Sequence, residues 1–155
     1  MQPIRLLFVC TGNTCRSPMS AAILNHILPP EKKGRFKILS AGISATKDQP
    51  VSLLAIEVLK EINIEMSEHK AIPMDVATVE DADLIIAMTI TQKRHLINSF
   101  PKARNKIFTL SEYASGPGSL HKEDIEDPLG GNLEVYRTAR DQIMSNLKMI
   151  AKRIT

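Results

Sequence analysis

A chain of 155 residues with 43% hydrophobic and 24% charged content suits one globular domain with a sizeable core. A net charge of +3, four phenylalanines, two tyrosines and no tryptophan argue against a basic, base-stacking surface, so no nucleic-acid partner is expected. No apolar run reaches the length of a membrane span, and the apolar segment near the N-terminus is too short for a signal peptide and lacks a cleavage site; a cytoplasmic chain with no membrane partner is expected.

In chain order, Ile4-Arg5-Leu6-Leu7-Phe8-Val9 reads as a buried parallel strand. It runs directly into Cys10-Thr11-Gly12-Asn13-Thr14-Cys15-Arg16-Ser17-Pro18, where a cysteine and an arginine bracket five residues. Ser17 is placed as the N-cap and Pro18 as the first residue of a helix reaching about Leu28, with Met19, Ala22, Ile23 and Ile27 as its apolar stripe and Pro29-Pro30 as its stop. A short basic loop, Glu31 to Arg35, leads to a second strand at Phe36 to Leu39, and Ser40-Ala41-Gly42 reads as the turn ending it. A second helix is expected from near Pro50 to about Ile62, carrying Leu53, Leu54, Ile56, Val58 and Leu59. Met74 to Val79 suits a short helical turn, Ala82 to Met88 a third buried strand, Thr91 to Phe100 a helix closed by Pro101, and Lys106 to Leu110 a fourth strand. A loop from Ser111 to Gly131 then precedes a terminal helix, capped by Asn132 and ending near Arg153, whose Tyr136, Ala139, Ile143, Leu147 and Ile150 face the core.

Strands alternating with helices predict a single α/β domain over residues 1–155, with a parallel sheet covered on both faces. Ligands of such sheets bind beyond the carboxyl ends of the strands, where the Cys10 loop lies. The loop's composition suits a phosphate held against a thiolate. Arg16 supplies a planar fork of donors, the intervening backbone N–H groups can form an anion nest, and the following helix N-terminus adds positive partial charge. These features favour the thiolate of Cys10 and make it a nucleophile. An acid must then protonate the leaving group. Asp127, followed by Pro128-Leu129-Gly130-Gly131, is the best candidate, with Glu123, Asp124 and Glu126 as competitors on the same loop. His26, His69, His95 and His121 show no ligand spacing and read as surface or helix-packing residues, so no metal or other cofactor is expected.

Together these motifs resemble the low-molecular-weight protein tyrosine phosphatase family. The loop, Ser40-Ala41-Gly42, the Asp83-Leu84-Ile85-Ile86-Ala87-Met88-Thr89 stretch and Asp127-Pro128 occur in the family's order and at similar spacing over essentially the whole chain. The resemblance implies a four-stranded parallel sheet with helices on both faces, a flavodoxin-like arrangement. It implies that Cys10 attacks phosphorus, that Arg16 and the amides from Thr11 to Arg16 (Gly12, Asn13, Thr14 and Cys15 between them) bind the phosphoryl oxygens, and that Asp127 acts as acid and then base. Ser17 would donate to the Cys10 thiolate and Asn13 would hold the loop's shape. Phosphorylated proteins would be the partners of a monomeric enzyme.

Two details resemble the family's bacterial protein-arginine-phosphatase branch. Thr11 stands where tyrosine-directed members tend to carry a larger aliphatic residue, and Leu129 with glycines replaces the paired tyrosines that often follow Asp-Pro. Phe108-Thr109-Leu110-Ser111-Glu112-Tyr113 also resembles that branch, whereas Leu129 departs from its usual phenylalanine. Phosphoarginine is therefore the expected substrate, with phosphotyrosine the alternative. An arsenate reductase would need a further cysteine pair, a response-regulator domain an acidic cluster at the strand ends, and a mere phosphoprotein-binding module would lack Cys10 or Asp127. Cys15 reads either as a packing residue or as a redox-regulatory partner that traps oxidised Cys10 as a disulfide.

Overall fold

A computed structural model describes residues 2–116 and 123–154. Four parallel strands form one sheet in the order β2-β1-β3-β4, where β1 is Ile4–Cys10, β2 Phe36–Gly42, β3 Leu84–Ala87 and β4 Ile107–Thr109. The helices are α1 (Arg16–Ile27), α2 (Leu53–Lys60), α3 (Val76–Asp81), α4 (Ile90–Ser99), α5 (Leu110–Ser115) and α6 (Leu133–Ile154). Strand alternation sorts β1 onto two cores. Leu6, Phe8 and Cys10 pack with residues of α1, α2, α5 and α6, whereas Leu7 and Val9 pack with Val79 of α3 and Leu96 of α4. Both faces of the sheet are thus covered, as the alternating pattern predicts. No helix among the described residues is long and apolar enough to cross a membrane.

Because β2 lies on one side of β1 and β3 on the other, the chain reverses its winding between β1 and β3. The crevice at such a switch point is the expected ligand site. Register brings Cys10 opposite Gly42 and Val9 opposite Ala87, so the ends of three strands open onto it.

Four boundaries depart from the sequence reading. The segment Ser40-Ala41-Gly42 continues β2 rather than turning, because it pairs with Phe8, Val9 and Cys10. Ser17 is not an N-cap: α1 begins at Arg16, Cys15 holds the cap position, and the Ser17 hydroxyl is used elsewhere. Pro18 still fits, as the first helical turn makes no use of its missing N–H. The second helix starts at Leu53, not near Pro50, which instead bridges to Lys70. The start of the expected Ser111 loop is helical: α5 opens with a reciprocal cap in which Glu112 N–H donates to Thr109 Oγ1 at 3.1 Å and Thr109 N–H donates to Glu112 Oε1 at 2.9 Å.

Candidate active site

The Cys10 loop is shaped by donors from outside that bond its own carbonyls. Ser44 N–H donates to Thr11 O at 2.9 Å and Ser52 N–H to Thr14 O at 2.9 Å. His69 Nε2 lies 3.1 Å from Asn13 O, and since a carbonyl only accepts, that nitrogen carries the proton. Burial depresses the His69 pKa although this bond opposes the shift, so the ring serves the loop as a neutral donor. A peptide plane that turns its C=O outward turns the next N–H the opposite way. The amides of Gly12, Cys15 and, through Asn13 O, Thr14 are thereby directed inward as a cradle. The reading of His69 as a surface or packing residue missed this link; His26 and His95 are exposed, and His121 lies outside the described residues.

Gly42 permits the fit of this loop against β2. A Cβ there would stand 2.8 Å from Thr11 O and 2.9 Å from Asn13 N, below any tolerable contact. Asn13 takes a left-handed φ of 56°, which asparagine tolerates better than most residues.

One chain of hydrogen bonds leads to Cys10. Ile72 N–H donates to Asn13 Oδ1 at 2.8 Å, which leaves Asn13 Nδ2 to donate to Ser17 Oγ at 2.7 Å. Ser17 Oγ lies 2.9 Å from Cys10 Sγ, where its hydroxyl can donate to a thiolate, and Ser17 N–H donates to the same sulfur at 3.4 Å. The first turn of α1, which carries Ser17, thus abuts the Cys10 sulfur. Both Cys10 and Cys15 are free thiols. Burial pushes Cys15 up to about 11, with the Cys10 charge adding to the shift, so it stays protonated near neutral pH.

Arg16 is buried at the first turn of α1. Its Nη1 donates to Ile125 O at 3.0 Å and its Nη2 lies 3.5 Å from Asp127 Oδ2. Its Nε is buried without a partner among the described residues. That N–H is left able to donate to an acceptor such as a phosphoryl oxygen. Of the four acids on the 123–131 loop, Asp127 is the one placed beside Arg16. Asp124 Oδ1 accepts from Ile90 N–H at the start of α4, Glu123 accepts from Gln142, and the backbone of Glu126 is joined to the same Gln142. Ile125 N–H donates to Met88 O, which fixes the loop to the end of β3. Asp127 Oδ1 accepts from Leu129 N–H at 3.1 Å, and Gly130 at φ 82° turns the chain back.

Thr11 is exposed at the rim. Its hydroxyl accepts from Gln92 Nε2 at 3.1 Å, a contact across 81 positions that the sequence reading did not anticipate. A buried thiol, a hydrogen-bonded loop of backbone amides, a buried guanidinium and a partly exposed carboxylate are therefore gathered around the Cys10 loop. That set has the chemistry a thiol-based phosphoryl-transfer site requires.

Comparison with known proteins agrees. The chain belongs to the low molecular weight phosphotyrosine protein phosphatase family, whose model matches residues 5–155. It is 40% identical over 152 residues to a protein named protein-arginine-phosphatase from Geobacillus stearothermophilus, covering 98% of this chain and 97% of the relative. A solved structure of the YwlE arginine phosphatase from that organism superposes with a TM-score of 0.88, covering 98% of this chain and 93% of the other. A protein named probable low molecular weight protein-tyrosine-phosphatase EpsP from Ralstonia solanacearum is 33% identical over 149 residues, covering 96% of this chain and 94% of the relative.

Proposed function

We propose that this protein is a cysteine-dependent phosphatase that hydrolyses phosphoarginine in proteins through a phosphocysteine intermediate. The Cys10 thiolate attacks phosphorus and the P–N bond breaks, while Asp127 gives its proton to the departing guanidino nitrogen. Arg16 Nε and the inward amides hold the phosphoryl oxygens as charge builds on them. Asp127 then takes a proton from water, the water oxygen attacks phosphorus, the P–S bond breaks, and phosphate leaves with the thiolate restored.

The observation that carries the substrate is the rim. Thr11 is exposed next to the nucleophile, and its hydroxyl gives a guanidinium an acceptor from which a phenyl ring gains little. Among the described residues, the segment that follows Asp127 offers no ring to stack on: residues 123–135 contain no aromatic, Leu129 stands 68% exposed, and Tyr136 is buried with its hydroxyl bonded to Ser52. The 40% identical relative bears the corresponding name, which supports the same reading. The test is kcat/KM on phosphoarginine and phosphotyrosine peptides side by side, with Cys10→Ser as the blank. Preference for phosphoarginine is expected, and Thr11→Ile is expected to move it toward phosphotyrosine. A wild-type preference for phosphotyrosine leaves the mechanism intact and overturns the substrate.

Cys15 guards the nucleophile in this reading. Peroxide converts Cys10 to a sulfenic acid, and Cys15 sulfur attacks it, forming an S–S bond with loss of water. Since the Cys10 charge helps hold the Cys15 proton, neutralising Cys10 by oxidation eases this step. After a peroxide pulse, a thiol reductant is expected to restore wild-type activity and to fail with Cys15→Ser. Equal recovery in the two proteins would leave Cys15 with packing alone.

A further inference from the structure

We propose that Gln92 sets the substrate preference of this site by orienting the Thr11 hydroxyl, which makes it a positioning residue for recognition of the phosphoguanidinium group. The inference rests on the phosphoarginine reading and deepens it.

Gln92 lies buried in the first turn of α4, far from Thr11 in sequence and next to it in space. Its amide can face only one way. Met88 N–H and Thr89 N–H both point at one end, at 3.0 and 3.1 Å, and backbone amides only donate, so the carbonyl oxygen must sit there. The NH2 group is left facing Thr11 Oγ1. An exposed threonine with no such partner distributes among staggered rotamers. Here any rotation of Thr11 away from Gln92 strands a buried N–H, which costs more than an ordinary exposed bond gains. The hydroxyl is therefore held in place, with one lone pair used by Gln92 and its second lone pair left at the rim. That free lone pair can accept from a guanidinium N–H; an aryl ring has no donor to offer it.

The same corner of the fold holds the acid. Met88 donates to Gln92 through its N–H and accepts from Ile125 through its carbonyl, two residues before Asp127. Met88 thus ties the residue that holds Thr11 to the loop that carries Asp127. Gln92 does not touch the reacting atoms; it acts through Thr11.

The experiment is a double-mutant cycle read as a ratio, kcat/KM for a phosphoarginine peptide over kcat/KM for a phosphotyrosine peptide, in wild type, Gln92→Leu, Thr11→Val and the double variant. Both constants come from one preparation, so loss of folded enzyme cancels from the ratio. Gln92→Leu is expected to lower the ratio roughly three- to tenfold, the scale of one neutral hydrogen bond. In the Thr11→Val background it is expected to change nothing further. Gln92→Leu also unpairs two backbone amides, so Gln92→Asn serves as the second variant. It keeps a polar group at the cap and is one methylene too short to bridge to Thr11, and the same fall is expected. A ratio that either variant leaves unchanged, or a fall that persists with Thr11→Val, overturns the role of Gln92 alone. A wild-type ratio favouring phosphotyrosine overturns the substrate reading and this inference with it.

Discussion

Arg16→Lys is expected to lower kcat roughly 10³- to 10⁵-fold on any phosphorylated substrate, the range seen when an arginine is lost from a phosphoryl-transfer site. The two cations are not interchangeable here. The guanidinium holds Ile125 O and Asp127 through its two Nη atoms and leaves Nε unpaired among the described residues, which in the proposed mechanism is the donor to a phosphoryl oxygen. A lysine ammonium is a point charge without the planar fork that serves all three at once. The lost contact to Ile125 also loosens the loop that carries Asp127, so the substitution removes charge stabilisation and disturbs the acid together. The measurement is steady-state kinetics, with thermal melting run in parallel because residue 16 is buried. A folded Arg16→Lys enzyme retaining kcat within tenfold of wild type would remove Arg16 from the transition state.

How much of this was legible in the sequence depended on whether the signal was local. The strands announced themselves as short apolar runs bounded by turn residues, and the nucleophile loop as one continuous motif. The helix α5 carried its own local signal, Thr109 with Glu112 three residues on, and the strand pattern through Leu110 masked it. A comparable Thr89–Gln92 pair caps α4, but its second use could not be read. Gln92 reaches Thr11 across 81 positions and His69 reaches Asn13 across 56. No periodicity encodes such contacts; they exist because β1 and β3 lie side by side in the sheet and because the 43–72 segment folds back over the loop. Ser17 shows the same limit in reverse. Local rules make it an N-cap, yet the bond from Asn13 and the proximity of Cys10 Sγ put its hydroxyl to chemical use and shift the helix start to Arg16.

Asp127→Asn is expected to cost about 10²- to 10⁴-fold in kcat/KM on phosphoarginine, the usual contribution of a general acid. The guanidino nitrogen leaves poorly without a proton, so the first step bears the loss. An aryl phosphate with an acidic phenol, such as p-nitrophenyl phosphate, needs no proton to leave and separates the two duties of the carboxylate. With that substrate Asp127→Asn is expected to release about one equivalent of nitrophenolate in a burst and then turn over slowly, because water must attack the phosphocysteine without a base. The geometry allows both duties: Asp127 is about half exposed, so water can reach it, and its contact to Arg16 keeps it at the edge of the phosphate cradle. Rapid-quench or stopped-flow kinetics read the burst. Equal losses on both substrates with no burst would reduce Asp127 to a partner that positions Arg16, and would return Glu123 and Glu126 to consideration as the acid. Asp124 would rank behind them, since its Oδ1 bond to Ile90 N–H ties it to the start of α4.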